Sequence, residues 1–135
     1  MNTLRAVGFF RELDYGDANG PSLHALVRTE AQPYEAEIIR YLNAGACLVA
    51  SAGMVPDILD VSAGYIDGGP YLLTDGEWMW WKELAYYVEH YHISLPDDFV
   101  AHMQQNNFVV REISDEEICR LTEELIAQKT KGKHE

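Results

Sequence analysis

The run Tyr71-Leu72-Leu73-Thr74-Asp75-Gly76-Glu77-Trp78-Met79-Trp80-Trp81 constrains this chain more than any other stretch. Asp-Gly between two apolar runs is a two-residue hairpin signal, because a type I′ turn needs positive φ at both central positions. With Asp75-Gly76 as the turn, Thr74 pairs with Glu77, Leu73 with Trp78, Leu72 with Met79 and Tyr71 with Trp80. Side chains alternate along a strand, so Trp78 and Trp80 share one face with Leu73 and Tyr71. Cross-strand aromatic pairs of this kind add about 0.2–1 kcal/mol each. Met79 and Trp81 then point the other way. A sheet covered on one face only cannot bury both sets, so Met79 or Trp81 needs a helix, a loop or another molecule over it.

Helical patterns surround the hairpin. Directly after it, Trp81, Leu84, Val88 and Tyr91 form one stripe, with Ala85 and Tyr87 at its margins. Pro33 suits a first helical position, Glu35 and Glu37 suit the positive start of a helix, and Gly45 can end it. Tyr34, Ile38, Tyr41 and Leu42 would be its buried face. Ser22 can cap a short helix that buries Leu23, Leu26 and Val27. Pro96 opens a helix with Asp97 and Asp98 in its first turn and Phe99, Val100 and Met103 facing in; Asn106 and Asn107 offer its C-terminal cap. Ser114 with Glu117 forms a capping box for a last amphipathic helix carrying Ile118, Leu121, Leu125 and Ile126.

Residues 4–13 read as a strand, and Ala46 to Ala52, an uncharged apolar run, as a central strand. Pro56 to Asp60 suits one helical turn. Asp14 to Gly20 and Ser62 to Pro70 read as loops, the second with a brief extended piece at Tyr65-Ile66. The expected fold is α+β: a small antiparallel sheet of three to four strands against about five helices. Residues 1–128 form one domain, and 129–135 form a frayed basic tail.

Charge sets the class of partner. The chain has 22 acidic and 10 basic residues, a net charge of −12 at pH 7. Phosphate recognition needs clustered basic side chains, so nucleic acid is excluded as a direct ligand, as is an anionic membrane surface. A basic protein partner is favoured, although an acidic balance also simply serves solubility. No apolar run reaches the ~20 residues of a membrane span. No signal peptide is visible, since Arg5 and Arg11 interrupt the early apolar stretch. Cys47 and Cys119 read as two buried thiols, and a cytoplasmic location follows.

Catalytic constellations are scarce. Glu89-His90-Tyr91-His92 holds the one histidine cluster, but residues two apart on a helix point about 200° apart, so His90 and His92 cannot share a metal there. They could if the helix ended near Glu89, with His102 joining. No Gly-x-Ser-x-Gly elbow, Cys-x-x-Cys pair or phosphate-binding glycine loop is present. Asp75 reads as a turn former, and Asp97 and Asp98 as helix-start charges. The expectation is a protein that is not an enzyme, with no catalytic residues, no metal and no cofactor.

Several blocks together resemble a group of small, mostly uncharacterised bacterial proteins. They are Arg5-Ala6-Val7-Gly8-Phe9-Phe10-Arg11-Glu12-Leu13, Gly20-Pro21-Ser22-Leu23, Leu73-Thr74-Asp75-Gly76-Glu77-Trp78-Met79-Trp80, Leu84-Ala85-Tyr86-Tyr87-Val88-Glu89 and Leu95-Pro96-Asp97-Asp98-Phe99. The resemblance spans roughly residues 4–107. The Leu-Thr-Asp-Gly-x-Trp-x-Trp pattern often continues with proline, where this chain has Trp81. Small acidic α+β proteins of this kind are similar to immunity proteins of bacterial polymorphic-toxin systems. That similarity implies a protein that binds a cognate toxin domain and occludes its active site. The acidic surface for such a contact would come from Asp14, Asp17, Asp57, Asp60, Asp67 and Glu77, with Trp81 as an aromatic anchor. The alternative is a protein-binding or adaptor domain, homodimeric through the apolar aromatic face.

Overall fold

The computed structural model describes residues 4–13, 17–50, 53–66 and 71–133, with side chains to residue 127. Its order is β1 (Arg5–Ala6), α1 (Leu23–Leu26), α2 (Glu35–Asn43), β2 (Ala46–Ala50), β3 (Val55–Pro56), a 3₁₀ turn (Val61–Ala63), β4 (Tyr65–Ile66), β5 (Tyr71–Thr74), β6 (Trp78–Trp81), α3 (Glu83–Tyr91), α4 (Asp97–Gln105) and α5 (Asp115–Lys133). The fold is α+β. Its main sheet has the order β1-β6-β5-β2, and β3 with β4 makes a separate two-stranded ribbon. The sheet is mixed rather than purely antiparallel, because β1 runs parallel to β6.

The hairpin forms, one residue further along than Asp75-Gly76 predicts. Leu72 pairs with Trp81, Leu73 with Trp80 and Thr74 with Met79. Gly76 and Glu77 are therefore the central turn residues. Gly76 has φ +98°, whereas Glu77 does not have positive φ. Glycine at the first central position alone is the type II′ preference. The Asp75 side chain drives the shift: Oδ1 accepts the backbone N–H groups of Glu77 (2.9 Å) and Trp78 (2.7 Å). Each residue's partner moves by two positions, and an even shift leaves every side chain on its expected face.

Both faces of the hairpin are consequently covered. Trp78 and Trp80 enter the main core with Tyr41, Leu42, Leu84, Val88 and Phe99. The Trp80 indole N–H donates to the Leu42 carbonyl (2.9 Å), fixing the ring against the end of α2. A Cβ on Gly45 would lie 2.8 Å from Trp80, so this glycine serves close packing rather than a left-handed helix end. On the opposite face, Leu4, Leu48, Leu72 and Leu121 form a second cluster with Met79 and Trp81 packed against it. The helix α5 supplies Leu121, Ile118 and Leu125 to that cluster. The sheet is thus a middle layer.

Other differences from the sequence expectation have local causes. The first strand is two residues long because Gly8 takes φ +79° and breaks the extended run. β2 is an edge strand, not a central one. Residues 57–60 form no helical turn; β3 precedes them and the 3₁₀ turn follows. Tyr34 is 54 % exposed rather than buried, since it adopts φ +62° outside α2. Cys47 and Cys119 are both exposed, contrary to the buried-thiol expectation. α1 is capped not by Ser22 but by Glu12, which accepts the N–H groups of Leu23 (2.8 Å) and His24 (3.1 Å) and the Ser22 hydroxyl (2.7 Å). Only half of the Ser114 capping box forms: Glu117 N–H donates to Ser114 (3.2 Å) while its carboxylate turns to Arg111 (3.0 Å). α5 continues to Lys133, through the start of the segment expected to fray. No helix among the described residues is long and apolar enough to cross a membrane.

Candidate functional site

Two buried carboxylates organise the polar interior. Asp75 is 4 % exposed and Asp57 0 %. Besides its two backbone donors, Asp75 accepts the Tyr41 hydroxyl and lies 2.8 Å from His102 Nε2. Those four partners fill the lone-pair sites a carboxylate has. The arrangement pins the hairpin turn to α2 through Tyr41 and to α4 through His102. The other His102 nitrogen, Nδ1, lies 3.2 Å from Glu77 Oε2. Arg111 closes the site from the chain before α5, and a Cβ on Gly76 would fall 2.1 Å from its guanidinium. Burial, then the bond to Asp75, pushes the Tyr41 hydroxyl far above its ordinary value.

Asp57 is held differently. Its Oδ2 accepts the hydroxyls of Tyr86 (2.8 Å) and Tyr91 (2.6 Å), and its Oδ1 accepts the N–H groups of Leu59 (2.9 Å) and Asp60 (3.0 Å). Both tyrosines lie on α3, so Asp57 clamps the segment from β3 to β4 onto that helix. Burial opposes its charge, but the Tyr91 and Tyr86 bonds and then the backbone donors win, holding the carboxyl below its ordinary value. Reciprocally, the bond to Asp57, with some burial, pushes Tyr86 up to about 12.

Asp57 is therefore a correction to the acidic surface expected from sequence: it is consumed inside the fold and cannot touch a partner. Asp60 is exposed and caps the 3₁₀ turn by accepting Ser62 N–H (3.1 Å). Asp17 is exposed, with Oδ1 accepting Asn19 N–H (2.9 Å). Glu77 is exposed beside His102. These three sit on different elements: the loop before α1, the β3–β4 segment and the hairpin turn. Asp14 and Asp67 lie outside the described residues. Trp81 is half-buried, its ring 5.8 Å from that of Phe9 in the second cluster. It is a packing residue under α5, not the free-standing anchor expected.

The β3–β4 segment carries a feature that sequence reading missed. Val55 pairs with Ile66 and Pro56 with Tyr65; the first pair is buried and the second exposed. Met54, Val61 and Tyr65 are 68 %, 82 % and 61 % exposed. Large apolar side chains thus stand outward next to Asp60, on a ribbon that Asp57 fastens to α3. Scattered single residues in the sequence gave no periodicity to reveal this.

Two crevices among the described residues are small. The crevice at Tyr41, Asp75, Glu77, His102 and Arg111 is about 20 Å³, room for roughly one water. A second crevice of about 180 Å³, lined by Val7, Phe10, Leu26, Leu95 and Pro96, is apolar and below the roughly 300 Å³ where small-molecule sites begin. The histidines diverge. His90 stacks on Tyr86 at 4.2 Å, while His92, at the left-handed end of α3, reaches Glu35 on α2 (2.8 Å). Among the described residues no group of three or more His, Cys, Asp or Glu is placed to hold a metal ion.

No protein-family model matches this chain, and neither a curated protein nor a solved structure matches it.

Proposed function

We propose that this protein is an immunity-type inhibitor that acts in the cytoplasm by binding a toxin domain of a bacterial polymorphic-toxin system. Its acidic surface pairs with a basic active-site cleft, standing in for substrate phosphates, and blocks access by occlusion. The observation that carries this reading is how the charge is distributed. The chain has a net charge of −12, and several of its few cations are already engaged at home. Arg5 bonds Asp98, Arg111 bonds Glu117, and Arg120 lies 3.4 Å from Glu124. The outward field is acidic, and such a field steers a basic partner into contact.

The β3–β4 ribbon supports the reading further. Interface energy concentrates in a few aromatic and apolar anchors ringed by polar residues. Tyr65, Val61 and Met54 beside Asp60 have that composition. The Asp57 bonds to Tyr86 and Tyr91 hold that segment on α3, which lowers the ordering cost of binding.

The test is co-expression with the toxin domain encoded by the neighbouring gene. The wild-type chain should form a stoichiometric complex with it and protect cells that express it. Asp60→Lys combined with Tyr65→Ala should weaken the complex about tenfold or more and remove protection, as loss of one hot-spot residue alone reaches ~2 kcal/mol. A wild-type chain that neither binds nor protects against that product would sink the proposal.

A further inference from the structure

Positive φ in a bulky residue is an outlier that its surroundings must hold in place. Tyr34 (φ +62°) and Phe108 (φ +57°) are two such residues, far apart in the sequence. Their rings meet, with centroids 5.4 Å apart. Asn107 also has positive φ (+55°), but its cause is ordinary. The N–H groups of Asn107 and Phe108 donate to the carbonyls of Gln104 (3.0 Å) and Met103 (2.9 Å), a Schellman end for α4 that suits asparagine. The two aromatics have no such excuse, since asparagine or glycine takes these backbone angles more easily. Burial does not explain Tyr34 either. Phe108 is half-buried against the main core, but the Tyr34 ring that lies on it is 54 % exposed. Val109, the next residue, is 63 % exposed and lines one crevice with Glu77. Tyr34, Phe108 and Val109 thus form an outward apolar patch with the exposed Glu77 at its rim, and Glu112 is exposed just beyond.

We propose that this patch is a second contact for the toxin domain, a deepening that rests on the inhibitor reading above. The occupant is a protein surface with an apolar centre bordered by lysine or arginine. Charge selects it. The cation that lines the crevice, Arg111, is already bonded to Glu117, so Glu77 and Glu112 leave the rim acidic. Tyr34 and Phe108 present ring faces, which accept aliphatic groups and cations alike. A second copy of this chain would set acid against acid around the same patch, which disfavours it. The strained backbone fits the role, because rings fixed before contact cost less to order on binding. The end of α3 also ties the patch to the β3–β4 ribbon. Tyr91 there bonds Asp57 (2.6 Å), and His92 beside it reaches Glu35, the neighbour of Tyr34 (2.8 Å).

The test measures the affinity of the full chain for the purified toxin domain encoded by the neighbouring gene, with thermal unfolding alongside. Tyr34→Asn removes the ring and suits the left-handed backbone. Its Tm should stay level or rise while Kd weakens about tenfold or more. A Tyr34 that served the fold alone would show the reverse, a lower Tm with Kd unchanged, and that result would overturn the proposal. Val109→Lys provides a second arm even if Tyr34→Asn folds poorly. It sets a cation at an exposed position beside Glu77, so Kd should weaken by a similar factor with Tm unchanged. Wild-type affinity in both variants would overturn the patch and leave the inhibitor reading standing. A wild-type chain that does not bind at all would sink the inhibitor reading, and this contact with it.

Discussion

Asp75 and Asp57 are both buried, each held by four partners, and yet they perform different work. Asp75 sits where the chain reverses and gathers partners from far along the sequence: Tyr41 on α2 and His102 on α4. A cationic Arg111 and a second carboxylate, Glu77, stand close by, so the cluster is ionic. Asp57 is served by neutral donors, two tyrosine hydroxyls and two backbone N–H groups. It fastens one ribbon to one helix. A buried acid in this fold is either a keystone shared by several layers or a local clasp. In either role it is withdrawn from the surface that would meet a partner.

The largest effect should come from Asp75→Ala. It strands a hydroxyl, an imidazole and two N–H groups in the interior, and each buried polar group left without a partner costs about 1–3 kcal/mol. Denaturant unfolding should show that loss as one cooperative shift. If Asp75→Ala lost no more stability than Asp57→Ala, the keystone reading would be wrong.

Asp57→Ala should cost less, about 1–3 kcal/mol, because the half-exposed tyrosines can turn to water. Its effect should be local. Hydrogen exchange ought to quicken at the backbone amides of residues 55–66 while those of β5 and β6 keep their protection. Uniform loss of protection across both regions would mean that Asp57 is not a local clasp.

The smallest effect is the pH response of the clasp. Asp57 is held below its ordinary carboxyl value, so its contribution is present above the unfolded value and fades as pH falls through the lower folded one. Tyr86 is raised from 10.0 to about 12, so its contribution is complete below 10 and fades as pH rises toward 12. The ribbon should therefore loosen at both extremes. Asp57→Asn should bring the Tyr86 titration back toward its ordinary value, which tyrosine NMR can follow residue by residue. An unmoved titration would show that Asp57 does not hold that proton.

Much of this was legible beforehand, and the reason is periodicity. The alternation in Trp78 to Trp81 and the 3.6-residue stripes of α2, α3, α4 and α5 are local patterns, and local patterns survive in the sequence. Even the wrong hairpin register preserved the faces, because its error was an even number of residues. The acid at position 57 was misread because loop carboxylates are usually solvated. Its donors, Tyr86 and Tyr91, lie about thirty residues away, and no spacing rule links them to it. Glu12 is a similar case: it caps α1 from ten residues upstream, where no local cap motif looks.

The α+β class, the hairpin with its two tryptophan faces and the acidic character of the surface are written in the amino-acid sequence. Those depend on composition and on the short-range geometry of strands and helices. Tertiary packing alone puts α5 over Met79 and Trp81, takes Asp57 and Asp75 into the interior, and sets β2 at the end of the strand order. Each of those depends on which distant segments pack together, and long-range packing leaves no periodic trace in the chain that encodes it.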